Sequence, residues 1–299
     1  MSVFYMKPKV TVGICVRNGA STLCEAIESV MAQDYPHELM EVIFVDDGSA
    51  DDSLSIINEY ASKMDMKVKI FHHEWKGLGY SRNVVVNNAE GKYIVWVDSD
   101  MALPNNFVRK HVEFMEANPK VGIAKARHSI KDMKNVVSVL EHIPFAIYDL
   151  KDNWLESKLP GTGGAIYHVE AIHQVGGFDE KLQGTGEDQD AAFRVKMAGW
   201  LIKRSPAFFY EKRAQNWLDV WRKWVWYGFG DFALYCKNRK IFSPLGMNPL
   251  TGLIRGLLFI PDAYRLVRRK IVLLLPFHLS FKMAAWCVGF TKGYKNRSE

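Results

Sequence analysis

The sequence predicts an α/β fold built on a mainly parallel, doubly wound sheet and followed by a helical C-terminal region. Short runs rich in β-branched residues, at 9–16, 41–45, 67–72 and 93–97, indicate buried strands. Segments with apolar residues at helical spacing separate these runs, and such alternation of strand and helix is typical of a parallel sheet. Two of the runs end in acidic residues, and open α/β sheets place ligand sites at the carboxyl ends of their strands.

The helices between and after these strands are marked by their periodicity and by the residues that interrupt it. After the first strand, apolar residues at helical spacing predict a helix that Ser21 or Thr22 can cap. We expect further helices at about 52–63, around 83–88, and from Asp188 to about residue 198.

The composition is that of an ordinary globular protein, with 48% hydrophobic and 24% charged residues in 299. The net charge of +6 points to an anionic partner, and we expect a phosphorylated substrate or a membrane surface rather than a nucleic acid. The four cysteines form neither a C-x-x-C pair nor a metal-binding pattern with histidine, which fits a reducing compartment. No apolar signal segment precedes the first strand, so we expect the main domain to face the cytoplasm.

Acidic residues follow the second and the fourth strand. Asp46 and Asp47 follow one, Asp98 and Asp100 follow the other, so both pairs can line one crevice. A carboxylate there can accept a hydrogen bond from a ribose hydroxyl or a base N–H, and oxygen ligands suit Mg²⁺ or Mn²⁺. Each pair alone would more simply be a turn, but together they favour a nucleotide site. The chain has no G-x-G-x-x-G and no G-x-x-x-x-G-K-[ST] motif, so neither a dinucleotide fold nor a P-loop is indicated.

Six short blocks follow one another between about residues 10 and 227. They are VGICVRNG (12–19), VDDGSAD (45–51), GLGYSRN (77–83), VDSD (97–100), GGFDE (176–180) and GED (186–188). In this order they make the chain resemble a family 2 glycosyltransferase. Such enzymes have the GT-A fold, depend on a nucleotide sugar and usually invert the transferred sugar. Each block is weakly specific alone, and their order along the chain carries the resemblance.

The resemblance implies a role for individual residues at the donor site. Val16, Asn18, Asp46 and Asp47 would hold the nucleoside, for which uridine is the first expectation and guanosine or thymidine remain open. Arg82 matches a position near the nucleotide and its phosphates.

The resemblance also implies the chemistry of transfer. Asp98 and Asp100 match the Asp-x-Asp motif, in which Asp100 would ligate Mn²⁺ or Mg²⁺ and Asp98 would lie near the ribose or the metal. Displacing a nucleoside diphosphate requires its charge to be neutralised and the acceptor hydroxyl to be deprotonated. Glu187 and Asp188 match the family's Glu-Asp motif, so Asp188 is the expected base and Glu187 a supporting or acceptor-site residue. Acidic residues also simply favour the first turn of a helix.

Acceptor-binding residues are expected at two further places. Gly163 and Gly164 lie in a Gly-rich loop, 159–165, which matches a family segment beside the donor sugar and the acceptor. Trp224 lies in the aromatic stretch 217–227, loosely similar to a basic-aromatic motif of processive members. The Gln-x-x-Arg-Trp form of that motif is absent, which argues against processive polymer synthesis, and helical spacing of the tryptophans equally fits a core face.

The C-terminal region holds two apolar blocks, 250–260 and 271–290. The second approaches the length of about 20 residues that spans a bilayer. Pro276, His278 and Lys282 within it argue against a simple span.

Basic residues at 265–270 separate the two apolar blocks. We therefore expect an interfacial or re-entrant helical hairpin, with basic groups on anionic headgroups and Trp286 and Phe290 in the acyl boundary. A true membrane span and a soluble pair of helices are the alternatives.

These expectations combine into one function. A glycosyltransferase domain would cover 1–230, with a nucleotide-binding half (1–105) and an acceptor half (106–230), and a membrane-associated region would cover 231–299 at the cytoplasmic face of the cell membrane. The expected reaction is metal-dependent, inverting transfer from a nucleotide sugar, UDP-linked in the first instance, to an acceptor hydroxyl on a lipid-linked glycan or other glycoconjugate. A polyprenyl-phosphate sugar synthase, a nucleotidyltransferase and a non-catalytic membrane adaptor are the alternatives.

Overall fold

The computed structural model describes residues 9–130, 134–150, 159–182 and 185–297, so residues 1–8, where no signal segment was expected, lie outside it. The chain divides into two compact units. The first comprises residues up to 127, 155–181 and 187–211, and the second comprises 128–154, 182–186 and 212–299. The predicted domain boundary at residue 230 stays a prediction, because compact units in space need not coincide with domains in sequence.

The first unit is built on an eight-stranded mixed sheet of order β3-β2-β1-β4-β7-β6-β8-β5. The strands are β1 (Val10–Val16), β2 (Met40–Asp47), β3 (Lys67–His73), β4 (Tyr93–Trp96), β5 (Met101–Ala102), β6 (Val121–His128), β7 (Ala165–His168) and β8 (Leu201–Glu211). Strands β1 to β4 pair in parallel, whereas β7 is antiparallel to β4 and β6, and β5 is antiparallel to β8. The expected parallel sheet is confirmed for β1 to β4 and wrong beyond them, because an apolar run indicates a strand but not its direction.

Helices cover both faces of the parallel part. The described helices are α1 (Ala20–Met31), α2 (Ser53–Ala61), α3 (Leu78–Asn88), α4 (Phe107–Ala117), α5 (Val136–Asp149), α6 (Val169–Gln174), α7 (Glu187–Met197), α8 (Trp217–Lys237), α9 (Pro249–Val267) and α10 (Leu275–Arg297). Because two apolar clusters sandwich the sheet, β2 is buried along its whole length, as parallel strands usually are. Capping of α1 by Ser21 or Thr22 is wrong, since the helix begins at Ala20 with Gly19 as its N-cap.

The second unit, formed by α5 and α8 to α10, holds a buried carboxylate. Oε1 of Glu141 lies 2.7 Å from Nε2 of His278 and 2.6 Å from Nζ of Lys282, and all three side chains are buried. Burial alone would raise the pKa of Glu141, but Lys282 and His278 hold it well below its usual range. The two polar residues of the second apolar block thus face inward, where paired charges are tolerated.

Lys282→Met is expected to destabilise the second unit by about 3 kcal/mol or more, because it leaves a buried carboxylate with one partner fewer. Denaturant unfolding followed by helical circular dichroism measures the effect. Lys292→Met, at an exposed position of the same helix, is the matched control and should unfold like the wild type. Equal stability of the two variants would contradict the structural role of the pair.

Aromatic packing in the second unit corrects one expectation. Trp286 is only 2% exposed, donates a hydrogen bond to Asp231 at 2.7 Å and stacks on Phe290 at 4.7 Å between ring centroids. Trp286 therefore lies inside the helical packing and not in an acyl boundary, because the side of α10 that carries Trp286 and Phe290 finds aromatic partners in Phe242 and Tyr235.

One stretch of the described residues, Lys270–Asn296, is long and apolar enough to cross a membrane. Half of its most apolar window is buried inside the fold, as is also found in core helices.

Candidate functional site

The carboxyl ends of β1, β2 and β4 bring the first predicted residues to one edge of the sheet. Val16 pairs in register with Asp46, and the chain leaving β4 reaches Asp98 two residues later. The side chain of Val16 is buried in the core, so only its backbone can face a ligand at this edge.

The turn after β1 is fastened to the turn after β2. Asn18 has a φ of +52°, a left-handed conformation that asparagine tolerates better than most residues. Its backbone N–H donates to Oγ of Ser49 at 3.0 Å, and its Oδ1 accepts a hydrogen bond from the backbone N–H of Ala50 at 2.8 Å. The Asn18 side chain therefore holds the two turns together.

Asp46 is fully buried beneath this edge. Its Oδ2 lies 2.8 Å from Nδ1 of His72 and accepts a hydrogen bond from the backbone N–H of Ser49 at 3.2 Å. Its Oδ1 is buried and has no hydrogen-bond partner within the described ranges. That oxygen is an acceptor still to be satisfied.

Asp47 holds the approach to α3. Its carboxylate accepts hydrogen bonds from the backbone N–H groups of Lys76 at 2.8 Å and Gly77 at 3.1 Å. His73, opposite Asp47 in the β2–β3 register, lies 3.4 Å away. His72 and His73 were not among the predicted site residues, because strand register cannot be read from a single sequence.

Arg82 of α3 connects the sheet edge to the start of α7. Its buried guanidinium forms an ion pair with Glu187, and Nη2 lies 4.0 Å from Oδ1 of Asp98. The guanidinium also lies over the ring of Phe178, 5.7 Å from its centroid. Residues from three distant parts of the sequence therefore meet at one side chain.

Burial and charge set the protonation of this group. Burial raises the pKa of Glu187, and the Arg82 charge opposes that rise. Burial alone would lower the pKa of Arg82, but Glu187, Asp188 and Asp98 raise it overall, so the guanidinium stays charged. Burial raises the pKa of the nearby Cys15 thiol to about 12, which keeps it neutral and unsuited to nucleophilic attack.

Asp98 is the more open of the two carboxylates, Asp98 and Glu187, that pair with Arg82. Its side chain is 45% exposed, yet the surrounding protein raises its pKa by desolvation, with Glu211 and Asp188 adding to the rise and Arg82 opposing it. Asp100 follows in the turn between β4 and β5 and is half-buried.

No group of three or more His, Cys, Asp or Glu side chains in the described parts of the chain is arranged to hold a metal ion. Mg²⁺ usually takes only one or two carboxylates and fills its other positions with water and substrate phosphates. Asp98 and Asp100 fit such an ion because both offer only oxygen ligands. Asp98 is also open to solvent and has the negative charges of Glu211 and Asp188 nearby.

The Gly-rich loop lies against two acidic side chains, Asp98 and Asp188. Gly163 approaches Asp98 so closely that a Cβ there would collide with the carboxylate, and Gly164 has a φ of +70°. Lys125 of β6 is buried and donates hydrogen bonds to the carbonyl oxygens of Gly161, at 3.2 Å, and Gly163. Lys125 was not predicted, although a lysine in the middle of the short apolar run 121–126 was the available signal.

Asp188 stands in the first turn of α7. Its Oδ1 accepts a hydrogen bond from the backbone N–H of Gln189 at 2.7 Å, and its Oδ2 lies 3.4 Å from the backbone nitrogen of Thr162 in the Gly-rich loop. The side chain is half-buried, so one carboxylate edge is held while solvent can still reach it.

Trp224 belongs to the second unit. The Nζ of Lys282 lies over its ring, 4.4 Å from the centroid, and its indole N–H is buried without a hydrogen-bond partner among the described residues. Its predicted contact with an acceptor stays a prediction.

Gly163→Ala is expected to lower turnover at least about tenfold, because the added methyl group forces Asp98 or the loop to move, and small displacements at reacting groups cost rate steeply. Steady-state kinetics measures it. Gly246→Ala, where a Cβ meets nothing within 4 Å, is the matched control. Equal activity of both variants would show that the loop tolerates displacement.

Comparison with known protein sequences points in one direction. The family model described as "Glycosyl transferase family 2" matches residues 11–176. An uncharacterized glycosyltransferase of Rickettsia bellii is 32% identical over 204 residues, which are 65% of this chain and 28% of the relative. The poly(ribitol-phosphate) beta-N-acetylglucosaminyltransferase TarS of Staphylococcus aureus is 32% identical over 108 residues, 36% of this chain and 19% of TarS. The chain thus spans less than a third of the length of these relatives.

Solved structures resemble the chain over nearly its whole length. The mannosyltransferase PcManGT from Pyrobaculum calidifontis, in complex with GDP-Man and Mn²⁺, has a TM-score of 0.69 at 20% identity and covers 98% of this chain and 88% of its own. Residues 1–349 of S. aureus TarS, in complex with UDP-GlcNAc, have a TM-score of 0.55 at 18% identity and cover 96% and 92%. At these identities the likeness shows the fold alone.

Proposed function

Because this chain belongs to glycosyltransferase family 2, we propose that it transfers a sugar, with inversion, from a nucleotide diphosphate sugar to an acceptor hydroxyl. It is a glycosyltransferase with an α/β fold of the GT-A type and a mixed sheet. The observation that carries the proposal is Arg82, whose guanidinium joins Asp98 at the sheet edge to Glu187 at the start of α7. A leaving-group position and a candidate base are thereby neighbours.

The nucleoside would lie on the fastened turns after β1 and β2. Asn18 and Asp47 hold these turns and the approach to α3, and Asp46 is buried beneath them, so the role of all three would be to shape the site. The backbone at Val16 would offer an acceptor to the nucleoside. Solved relatives bind both GDP-Man and UDP-GlcNAc, so the nucleobase of the donor stays open. UDP-sugars are the first donors to test.

The diphosphate would lie beside Asp98 and Arg82. Asp100 and Asp98 would hold Mn²⁺ or Mg²⁺, and one solved relative is in complex with Mn²⁺. A bound divalent ion would neutralise the charge that develops on the departing diphosphate. Arg82 adds a fixed positive charge beside the same carboxylate, so part of that stabilisation would come from the chain itself.

The acceptor would approach from the side of the Gly-rich loop. Asp188 is the proposed general base, with one oxygen held by the helix and the other beside the loop. Glu187 would support it by fixing Arg82, and Gly163, Gly164 and Trp224 are the other proposed acceptor contacts. A lipid-linked glycan at the cytoplasmic membrane face is the proposed acceptor, which accords with the apolar and basic C-terminal region.

A panel of nucleotide sugars tests this function. The protein is incubated with each donor, Mn²⁺ and lipid extract, and release of nucleoside diphosphate is measured. We expect release from one donor, with loss on chelation of the metal. Release of inorganic diphosphate instead would indicate nucleotidyl transfer, and no release from any donor would contradict the proposal.

A further inference from the structure

One face of α9 is apolar in a way that helices in water avoid. It exposes Leu250, Ile254, Leu257 and Leu258, which are 64%, 48%, 54% and 72% accessible. Their spacing of four, three and one residues places them on one stripe, the outer face of α9. Single exposed apolar residues are ordinary, but a continuous stripe of large ones indicates a binding surface.

The small residues of α9 lie on the opposite side and face α10. A Cβ at Gly252 would lie 2.7 Å from the carbonyl oxygen of Leu279, and a Cβ at Gly256 would collide with Pro276. The two helices therefore pack backbone against backbone while the large side chains of α9 turn outward. Glycines spaced by four at a helix contact, with bulky apolar residues outside, are typical of helices in lipid.

The segment after α9 continues this character. The 3-10 helix Lys270–Leu274 packs on α9 and exposes Leu273 and Leu274, and Phe277 in the first turn of α10 is 69% exposed. The charged side chains that lipid would exclude, Glu141 and Lys282, are paired inside the unit.

Positive charge borders the outer face. Residues 239–297 contain eleven Lys and Arg but a single acidic residue, Asp262. Arg265, Arg268 and Lys270 are all exposed at the C-terminal end of α9 and just beyond it. Basic groups at the margin of an apolar stripe match anionic headgroups lying beside an acyl boundary.

We propose that the outer face of α9 docks on an anionic phospholipid bilayer, with its leucines in the acyl boundary and Arg265, Arg268 and Lys270 on the headgroups. The inference rests on the membrane location within the proposed function, but not on the transfer chemistry. It gives α9, and not the buried Trp286, the anchoring role.

Co-sedimentation of the full chain with vesicles tests the docking. Vesicles of phosphatidylcholine with phosphatidylglycerol should bind it, and binding should weaken as salt is raised. Leu257→Glu/Leu258→Glu should weaken binding at least about tenfold, because two exposed leucines that would enter the acyl boundary are replaced by charges. Met197→Glu, at a 70% exposed apolar position of the first unit, is the matched control and should bind like the wild type.

Charge reversal provides an independent arm. Arg268→Glu/Lys270→Glu should weaken binding to anionic vesicles several-fold and leave any binding to neutral vesicles unchanged. Equal losses on both kinds of vesicle would overturn the headgroup assignment.

Two results would overturn the docking itself. One is vesicle binding by the leucine variant at the wild-type level. The other is a wild-type chain that ignores vesicles but forms dimers that the leucine variant dissociates, which would assign the face to a second copy. Thermal unfolding confirms that each variant is folded. Donor hydrolysis without vesicles is measured in parallel, so failure of the docking and failure of the transfer function are distinguishable.

Discussion

Asp188→Asn is expected to bind the donor nucleotide sugar normally and to transfer the sugar at least about a hundredfold more slowly. The amide keeps the shape of the side chain and an oxygen for the backbone N–H of Gln189, which the carboxylate now binds at 2.7 Å. The amide lacks the basicity that is needed to take the proton of the acceptor hydroxyl. Turnover is measured by nucleoside diphosphate release with acceptor present, and donor affinity by calorimetry.

The matched control for this variant is Gln189→Ala. Its side chain is half-buried at the next position of α7, and only its backbone N–H contacts Asp188. It should retain most of the activity. Near-normal turnover by Asp188→Asn would remove Asp188 as the base and favour an acceptor that is already anionic, such as a polyprenyl phosphate.

Arg82→Met is expected to lose both stability and activity, because it leaves the buried carboxylate of Glu187 without its cation. Breaking a buried ion pair from one side costs about 3–5 kcal/mol. The loss of activity should exceed tenfold, since the guanidinium also lies 4.0 Å from Asp98. Denaturant unfolding and turnover are measured on the same preparation.

Arg109→Met is the control, because Arg109 pairs with Asp34 at 2.9 Å on the surface, where solvent screening leaves such a pair little effect on stability. The double variant Arg82→Met/Glu187→Gln should recover most of the stability but little activity, since it removes the buried charge without restoring the cation. Recovery of activity by the double variant would contradict a direct role for Arg82.

The pH dependence of Arg82→Met follows from the direction of the Glu187 pKa. Burial already raises this pKa, and removing Arg82 takes away the charge that opposes the rise. A carboxyl group whose folded pKa is raised contributes stability at low pH and loses it as the pH rises through the folded pKa. The stability deficit of the variant should therefore shrink as the pH is lowered from about 8 to about 5.

Local pattern was enough to locate the strands that carry the site. The run predicted at 93–97 is the strand Tyr93–Trp96, and the helix predicted from Asp188 begins at Glu187. Strand β8 was not predicted, because Pro206 and charged residues break its alternation and much of it is exposed. The antiparallel pairing of β7 with β4 could not be read either, since direction depends on the path of the chain between strands.

Which residues form the site was easier to predict than which of them contact one another. Arg82 and Glu187 are 105 residues apart, and nothing in a single sequence links a helical arginine to a distant acidic turn. Lys125 supports the Gly-rich loop from strand β6, and the register of that strand cannot be read from the sequence. Asp47 was predicted as a nucleoside ligand, yet its carboxylate is already bonded to the backbone before α3. Such bonds depend on tertiary contacts, which periodicity does not encode.

The central claim is that Asp98 and Asp188 divide the work, one holding the leaving diphosphate and the other deprotonating the acceptor. Donor affinity and turnover of Asp98→Asn and Asp188→Asn, measured side by side, test it most directly. We predict that Asp98→Asn weakens donor binding at least about tenfold, and that Asp188→Asn binds the donor like the wild type but hardly turns over. Equal weakening of donor binding by both substitutions, or normal turnover of either, would contradict the account.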